Sequence, residues 1–135
     1  MPNALYPKAK EAALGSGMNL ASGTVRAILV DTSAYTYSAA HQFLSSVAAG
    51  ARVGSAVTLA SKTLTDGVFD AADISFTGLT AAPSIEAIVL YVDTGSEATS
   101  PLIAYIDTAT GLPTSAGASQ VDVAWSNGAN RIFAL

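Results

Sequence analysis

The chain reads as all-β, an antiparallel β-sandwich or barrel-like sandwich of about seven to eight strands with one or two short helices. Three observations predict it. Short apolar runs rich in β-branched and aromatic residues recur along the 135 residues, each bounded by Gly, Ser, Asp, Asn or Pro. Gln120 to Trp125 alternates, with Val121, Val123 and Trp125 on one side and Gln120, Asp122 and Ala124 on the other. The stretch from Ile85 to Asp107 holds two strand-length runs around a polar loop, and Ile88 to Val92 and Leu102 to Ile106 are continuously apolar. Both faces of that hairpin therefore require cover from a second layer, a helix or another protein chain.

In chain order, Asn3 to Leu14 predicts a short helix or arm, with Asn3 as cap, a proline in the first turn and Gly15 as stop. Leu5, Ala9, Ala12 and Ala13 share its narrow apolar face, which docks weakly by itself. Thr24 to Val30 is a strand ending at Asp31-Thr32, and Ser38 to Val47 suggests a short helix capped by Ser38 and broken at Ala49, Gly50 and Ala51. Arg52 to Ala60 reads as a strand with a weak centre. Lys62 to Phe69 contains the hairpin signal Asp66-Gly67, and Ile74 to Leu79 sets Ile74 and Phe76 opposite Ser75 and Thr77. Beyond the central hairpin, Thr108 to Ser119 is a long loop, and Asn127-Gly128 is a turn leading into a returning strand over Ile132 to Leu135. Residues 1–20 thus form an N-terminal arm or short helix and residues 21–135 a single β-sandwich domain.

Half of the residues are apolar but only 12% are charged, against roughly 25% in an ordinary soluble domain. No formal charge lies between Asp31 and Arg52, or between Asp107 and Asp122. A surface so poor in charge suits an assembly better than a solvated monomer. The net charge of −4, with six scattered Lys and Arg, argues against a nucleic-acid partner. Without cysteine there is no disulfide framework, thiolate metal site or thiol nucleophile. No stretch has the length of a signal-peptide core or a membrane span, which predicts a soluble chain made in a cytoplasm, with no membrane partner.

Each chemical motif competes with a plainer reading. Val92-Asp93-Thr94-Gly95-Ser96 resembles the aspartic-protease signature, and Asp31-Thr32-Ser33 a variant of it. That chemistry needs two carboxylates sharing one proton, and the supporting strand of two apolar residues and Gly has no match after Asp93. Asp-Thr also follows apolar runs at Asp31, Asp93 and Asp107, where it reads as an Asx-type turn closing a strand. His41 is the one histidine, which rules out a His-rich metal site and leaves a polar surface or interface residue. Asp66, Asp70 and Asp73 could ligate calcium, but their spacing is not that of an EF-hand and a solvated hairpin edge explains them. Trp125 reads as a core anchor, and Tyr35 and Tyr37, in an uncharged stretch, as partner contacts. Neither a catalytic residue, a metal site nor a cofactor is expected.

Three segments carry a family resemblance. They are Ala34-Tyr35-Thr36-Tyr37-Ser38-Ala39-Ala40-His41-Gln42-Phe43-Leu44-Ser45, the run from Asp93-Thr94-Gly95-Ser96 through Tyr105-Ile106-Asp107 to Gly111-Leu112-Pro113, and Trp125-Ser126-Asn127-Gly128-Ala129-Asn130-Arg131-Ile132-Phe133. Together they resemble a family of small structural (virion) proteins of tailed bacteriophages, over nearly the whole chain. The resemblance implies a non-enzymatic particle component present in many copies. It would be a capsid decoration or cement protein on the particle exterior, made in the host cytoplasm, that binds the major capsid protein and its own copies as a dimer or trimer. The alternative placement is in the tail, neck or fibre attachment. The interface residues expected on this reading are Leu5 and Tyr6 in the arm, Tyr35, Tyr37 and Phe43 in the uncharged stretch, and Leu112 and Pro113 in the long loop.

Overall fold

The computed structural model describes residues 4–15, 17–79, 87–107, 120–125 and 132–134. Its described part is an all-β, sandwich-like fold with one α-helix. Strands β1 (Ala4–Leu5), β2 (Thr24–Val30), β3 (Arg52–Thr58), β7 (Ala87–Asp93) and β8 (Leu102–Ile106) form a five-stranded antiparallel sheet in the order β1-β8-β7-β2-β3. Strands β4 (Thr63–Thr65), β5 (Val68–Asp70) and β10 (Phe133–Ala134) make a second sheet, and β6 (Ile74–Phe76) and β9 (Val121–Val123) a third.

The central hairpin behaves as its sequence demands. Every residue from Ala87 to Val92 and from Leu102 to Ile106 is buried. One face of the main sheet, carrying Val25, Ala27, Leu29, Ile88, Leu90 and Ile106, packs on Phe69, Phe76, Val121, Val123 and Phe133 from the two smaller sheets and on Trp125 just after β9. The opposite face, with Ile28, Val30, Val89, Leu102 and Tyr105, is covered by Tyr6, Ala9, Tyr35, Leu44, Val47 and Ala51. The chain thus supplies both covers itself. A bulge explains why β8 breaks alternation: Leu90 pairs with Ala104 and Tyr91 with Leu102, so Ile103 is left over and turns to the first face beside Ala104.

Helix α1 (Pro7–Leu14) starts with Pro at its first position, where a missing N–H costs nothing, and Gly15 donates its N–H to the Glu11 carbonyl at the other end. The capping position belongs to Tyr6 and not to Asn3, because Ala4 and Leu5 pair with Tyr105 and Ala104 and hold the chain extended up to Tyr6. Of the segment read as a short helix or arm, Ala4 and Leu5 are therefore part of the main sheet and Pro7–Leu14 is the helix. Ser38 to Val47 is not a helix either. Its backbone groups are claimed by the central hairpin: Leu44 donates to the Ser100 carbonyl, Leu102 donates to the Gln42 carbonyl, and Phe43 bridges to Pro101. Only single 3-10 turns at Leu44–Ser46 and Ala49–Ala51 remain.

Asp66 and Gly67 form the expected two-residue hairpin turn, both with positive φ (54° and 78°), between Thr65 and its partner Val68. The weak centre of β3 is a bulge. Ala27 pairs with Val57 and Leu29 with Val53, so Gly54, Ser55 and Ala56 stand opposite Ile28 alone. The last strand does return, but β10 pairs with β5, and β9 pairs with β6. The loop from Thr108 to Ser119, with Leu112 and Pro113, and the Asn127-Gly128 turn lie outside the described residues.

Candidate functional site

The densest polar and aromatic cluster lies over the second face of the main sheet, where the N-terminal segment meets the uncharged stretch after β2. Asp31 starts that stretch by accepting the Ser33 N–H and hydroxyl on one oxygen, at 2.9 and 2.6 Å, the Asx turn its sequence predicts. The turn carries Tyr35 inward to 4% exposure. There the Tyr35 hydroxyl lies 2.6 Å from that of Tyr6, which is wholly buried, and 2.9 Å from His41 Nδ1. Tyr37 donates its hydroxyl to the Leu5 carbonyl at 3.2 Å, and its ring lies 4.9 Å from Tyr6 and 5.7 Å from Tyr105. Burial, reinforced by the hydrogen bond to Tyr35 and by the neighbouring phenols, pushes the Tyr6 phenol far above the ordinary tyrosine range. Burial also raises Tyr35, against the opposing effect of its bond to Tyr6.

This arrangement revises the role expected of these tyrosines. Tyr6 and Tyr35 are consumed by the chain's own core, so neither ring is open to a partner in this conformation. Leu5, Tyr37 and Phe43 are half-buried, and Tyr37 also packs inward. His41 is half-buried and bonded to Tyr35, a link the sequence signals only by placing Tyr and His six residues apart in an uncharged stretch. Because the inner end of the Tyr6-Tyr35-His41 chain is sealed, a substrate could reach it only through His41.

The other motifs separate in space. Register pairs Thr24 with Asp93 and Val30 with Ala87, so Asp31 and Asp93 stand at opposite ends of the β2/β7 ladder, about 20 Å apart at roughly 3.3 Å per residue. Within one chain they cannot share a proton. Asp93 instead pairs with Arg26 at 3.1 Å and accepts the Gly95 N–H at 2.8 Å, while the Ser100 hydroxyl closes the loop by donating to the Ser96 carbonyl. Asp73 accepts the Trp125 N–H at 2.9 Å, away from the Asp66 turn, and no group of three metal-ligating side chains occurs among the described residues. Trp125 is buried and donates Nε1–H to the Ala72 carbonyl, as a core anchor should.

Arg52, directly after the cover layer, ties it down. Its guanidinium donates to the Val47 and Leu44 carbonyls and to the Glu97 carboxylate, whose pKa that hydrogen bond and charge hold below the usual range. Arg52→Met should lower stability by about 2 kcal/mol, since two carbonyls lose charged donors. Urea denaturation at neutral pH would measure it, and a loss under 0.5 kcal/mol would show that the clamp is ornamental. No protein-family model matches the chain, and no curated protein matches its sequence.

Proposed function

We propose that the protein is a non-enzymatic structural component of a bacteriophage particle, most simply a decoration protein that clamps onto the capsid shell together with copies of itself. One observation carries the reading beyond the family resemblance. The layer from Thr32 to Ala51 that covers the second core presents Ser33, Ala34, Thr36, Ala39, Ala40, Gln42, Ser45, Ser46, Ala48, Ala49 and Gly50 as exposed residues, all small or neutral. Its side chains carry little conformational freedom and no charge to strip of water, so a partner can approach the backbone closely at low cost. A monomer that faces only solvent gains nothing from such a surface. Binding the assembled lattice in preference to separated subunits would stabilise the shell by linkage.

On this reading the partner surface centres on Ala39, Ala48 and their neighbours, because Tyr6 and Tyr35 are buried. Ala39→Glu and Ala48→Glu, both at exposed positions, should leave the thermal midpoint nearly unchanged. A charge buried without a partner at the contact costs roughly 2–5 kcal/mol, so incorporation into particles should fall at least tenfold. Quantitative immunoblotting of purified particles measures this, and full incorporation of both variants would move the interface elsewhere. Electron microscopy of labelled particles tests placement: density confined to the tail would replace decoration by a neck, tail or fibre-attachment role.

A further inference from the structure

We propose that Tyr6, Tyr35 and His41 form a directional hydrogen-bond latch that fastens the N-terminal segment Ala4–Leu14 to the main sheet and is loosened by acid. The direction follows from counting protons. With Nδ1 of a neutral His41 as acceptor, Tyr35 donates to it at 2.9 Å and its oxygen accepts from Tyr6 at 2.6 Å, so both hydroxyl protons are placed. An imidazolium turns Nδ1 into a donor. Tyr35 must then accept from His41, and since only one phenolic proton can bridge Tyr35 and Tyr6, the other becomes a surplus donor where Tyr6 is 0% and Tyr35 4% exposed.

The groups facing this chain are phenols. Tyr35 lies under the His41 ring at 5.5 Å, Tyr105 of β8 packs 6.3 Å from Tyr35, and Tyr37 packs against both Tyr6 and Tyr105. No ion pair joins His41 to a carboxylate of the described residues, and Asp31, at the head of the loop, gives one oxygen to Ser33. The added charge thus arrives with a surplus donor, and no paired anion offsets it. Tyr6 is also the residue whose backbone N–H bonds the Ile103 carbonyl at 3.0 Å and whose carbonyl receives the Ala9 N–H, so strain at its hydroxyl reaches both β1 and α1. The latch holds whether or not the protein belongs to a particle.

Hydrogen exchange on the full chain, corrected for intrinsic rates, tests it at pH 7.5 and 5.0, which bracket the range where histidine ordinarily gains its proton. Protection of the Tyr6, Ala9 and Lys10 amides should drop about tenfold in acid, while the Val92 amide, bonded to the Pro101 carbonyl in the central hairpin, keeps its protection. His41→Asn retains an acceptor near Nδ1 but cannot titrate, so the acid response should vanish. Tyr35→Phe breaks the chain at its centre and should expose the three amides equally at both pH values. The latch is wrong if the wild type shows no selective loss at pH 5.0, or if His41→Asn responds to acid as the wild type does.

Discussion

Gly54→Ala should destabilise the protein by about 2–5 kcal/mol, the sum of a left-handed backbone penalty of about 1–2 and an overpacking cost of about 1–3. Gly54 sits in the β3 bulge at φ 70°, a conformation that L side chains rarely adopt. A methyl group there would also come within 2.4 Å of the Leu79 Cδ2 atom, well inside contact distance, and Leu79 is itself buried in the first core. Two independent penalties therefore fall on one small substitution. The thermal midpoint should drop by roughly 10 °C. A double-mutant cycle separates the causes: in a Leu79→Ala background the packing part disappears and only the backbone part, about 1–2 kcal/mol, should remain. An unchanged midpoint for the single variant would mean that the bulge does not form as described.

The second large effect appears in alkali. The folded state holds the Tyr6 phenolic proton far more tightly than the unfolded chain, in which tyrosine titrates near 10. Stability from this group is therefore complete below about pH 10 and is lost as pH rises above it, by up to about 1.4 kcal/mol for each further pH unit. Burial raises Tyr35 and Tyr91 as well, so the limb is steeper than Tyr6 alone would make it. Tyr6→Phe isolates one contributor. At pH 7 it should cost about 1 kcal/mol for the lost hydroxyl contact, yet its alkaline limb should be shallower by about 1.4 kcal/mol per unit. The two stability curves should cross close to pH 11, as followed by denaturant midpoints; parallel curves would show that the Tyr6 phenol is not sealed from solvent.

What could be read from the residues depended on how local the cause was. Thr24–Val30 occurs as the strand expected, Ile74 and Phe76 are buried around an exposed Ser75, and Val121, Val123 and Trp125 turn inward together. For the last two the signal is a period of two within a few residues, and for Thr24–Val30 it is a short apolar run rich in β-branched residues. Asp66-Gly67 was equally legible because both turn positions need positive φ. Phe43, Leu44 and Val47 misled for the opposite reason. Their spacing suits a helix face, but Ser100, Pro101 and Leu102 settle the matter through contacts with Leu44, Phe43 and Gln42 that span more than 50 residues of chain. The pairing of β10 with β5 is similarly invisible, since no local turn encodes a partner that far back. For the site, the uncharged stretch was legible as unusual, and its exposed part is indeed small and neutral. That its tyrosines would turn inward was not, because the Tyr6 hydroxyl that meets Tyr35 and the Leu5 carbonyl that meets Tyr37 both arrive from the N-terminal segment.

The pairing of Ala4 and Leu5 with Ala104 and Tyr105 also dictates an order of events during biosynthesis. Strand β1 has no partner until β8 has been made, an interval of roughly 5–20 s at about 5–20 residues per second. Over that interval the nascent chain can assemble β2 with β3 and then with β7, while Tyr6 waits unplaced. Closure of the second core is thus a late step that joins an early segment to one made much later, and a chain released before β8 would leave β1 without its partner strand.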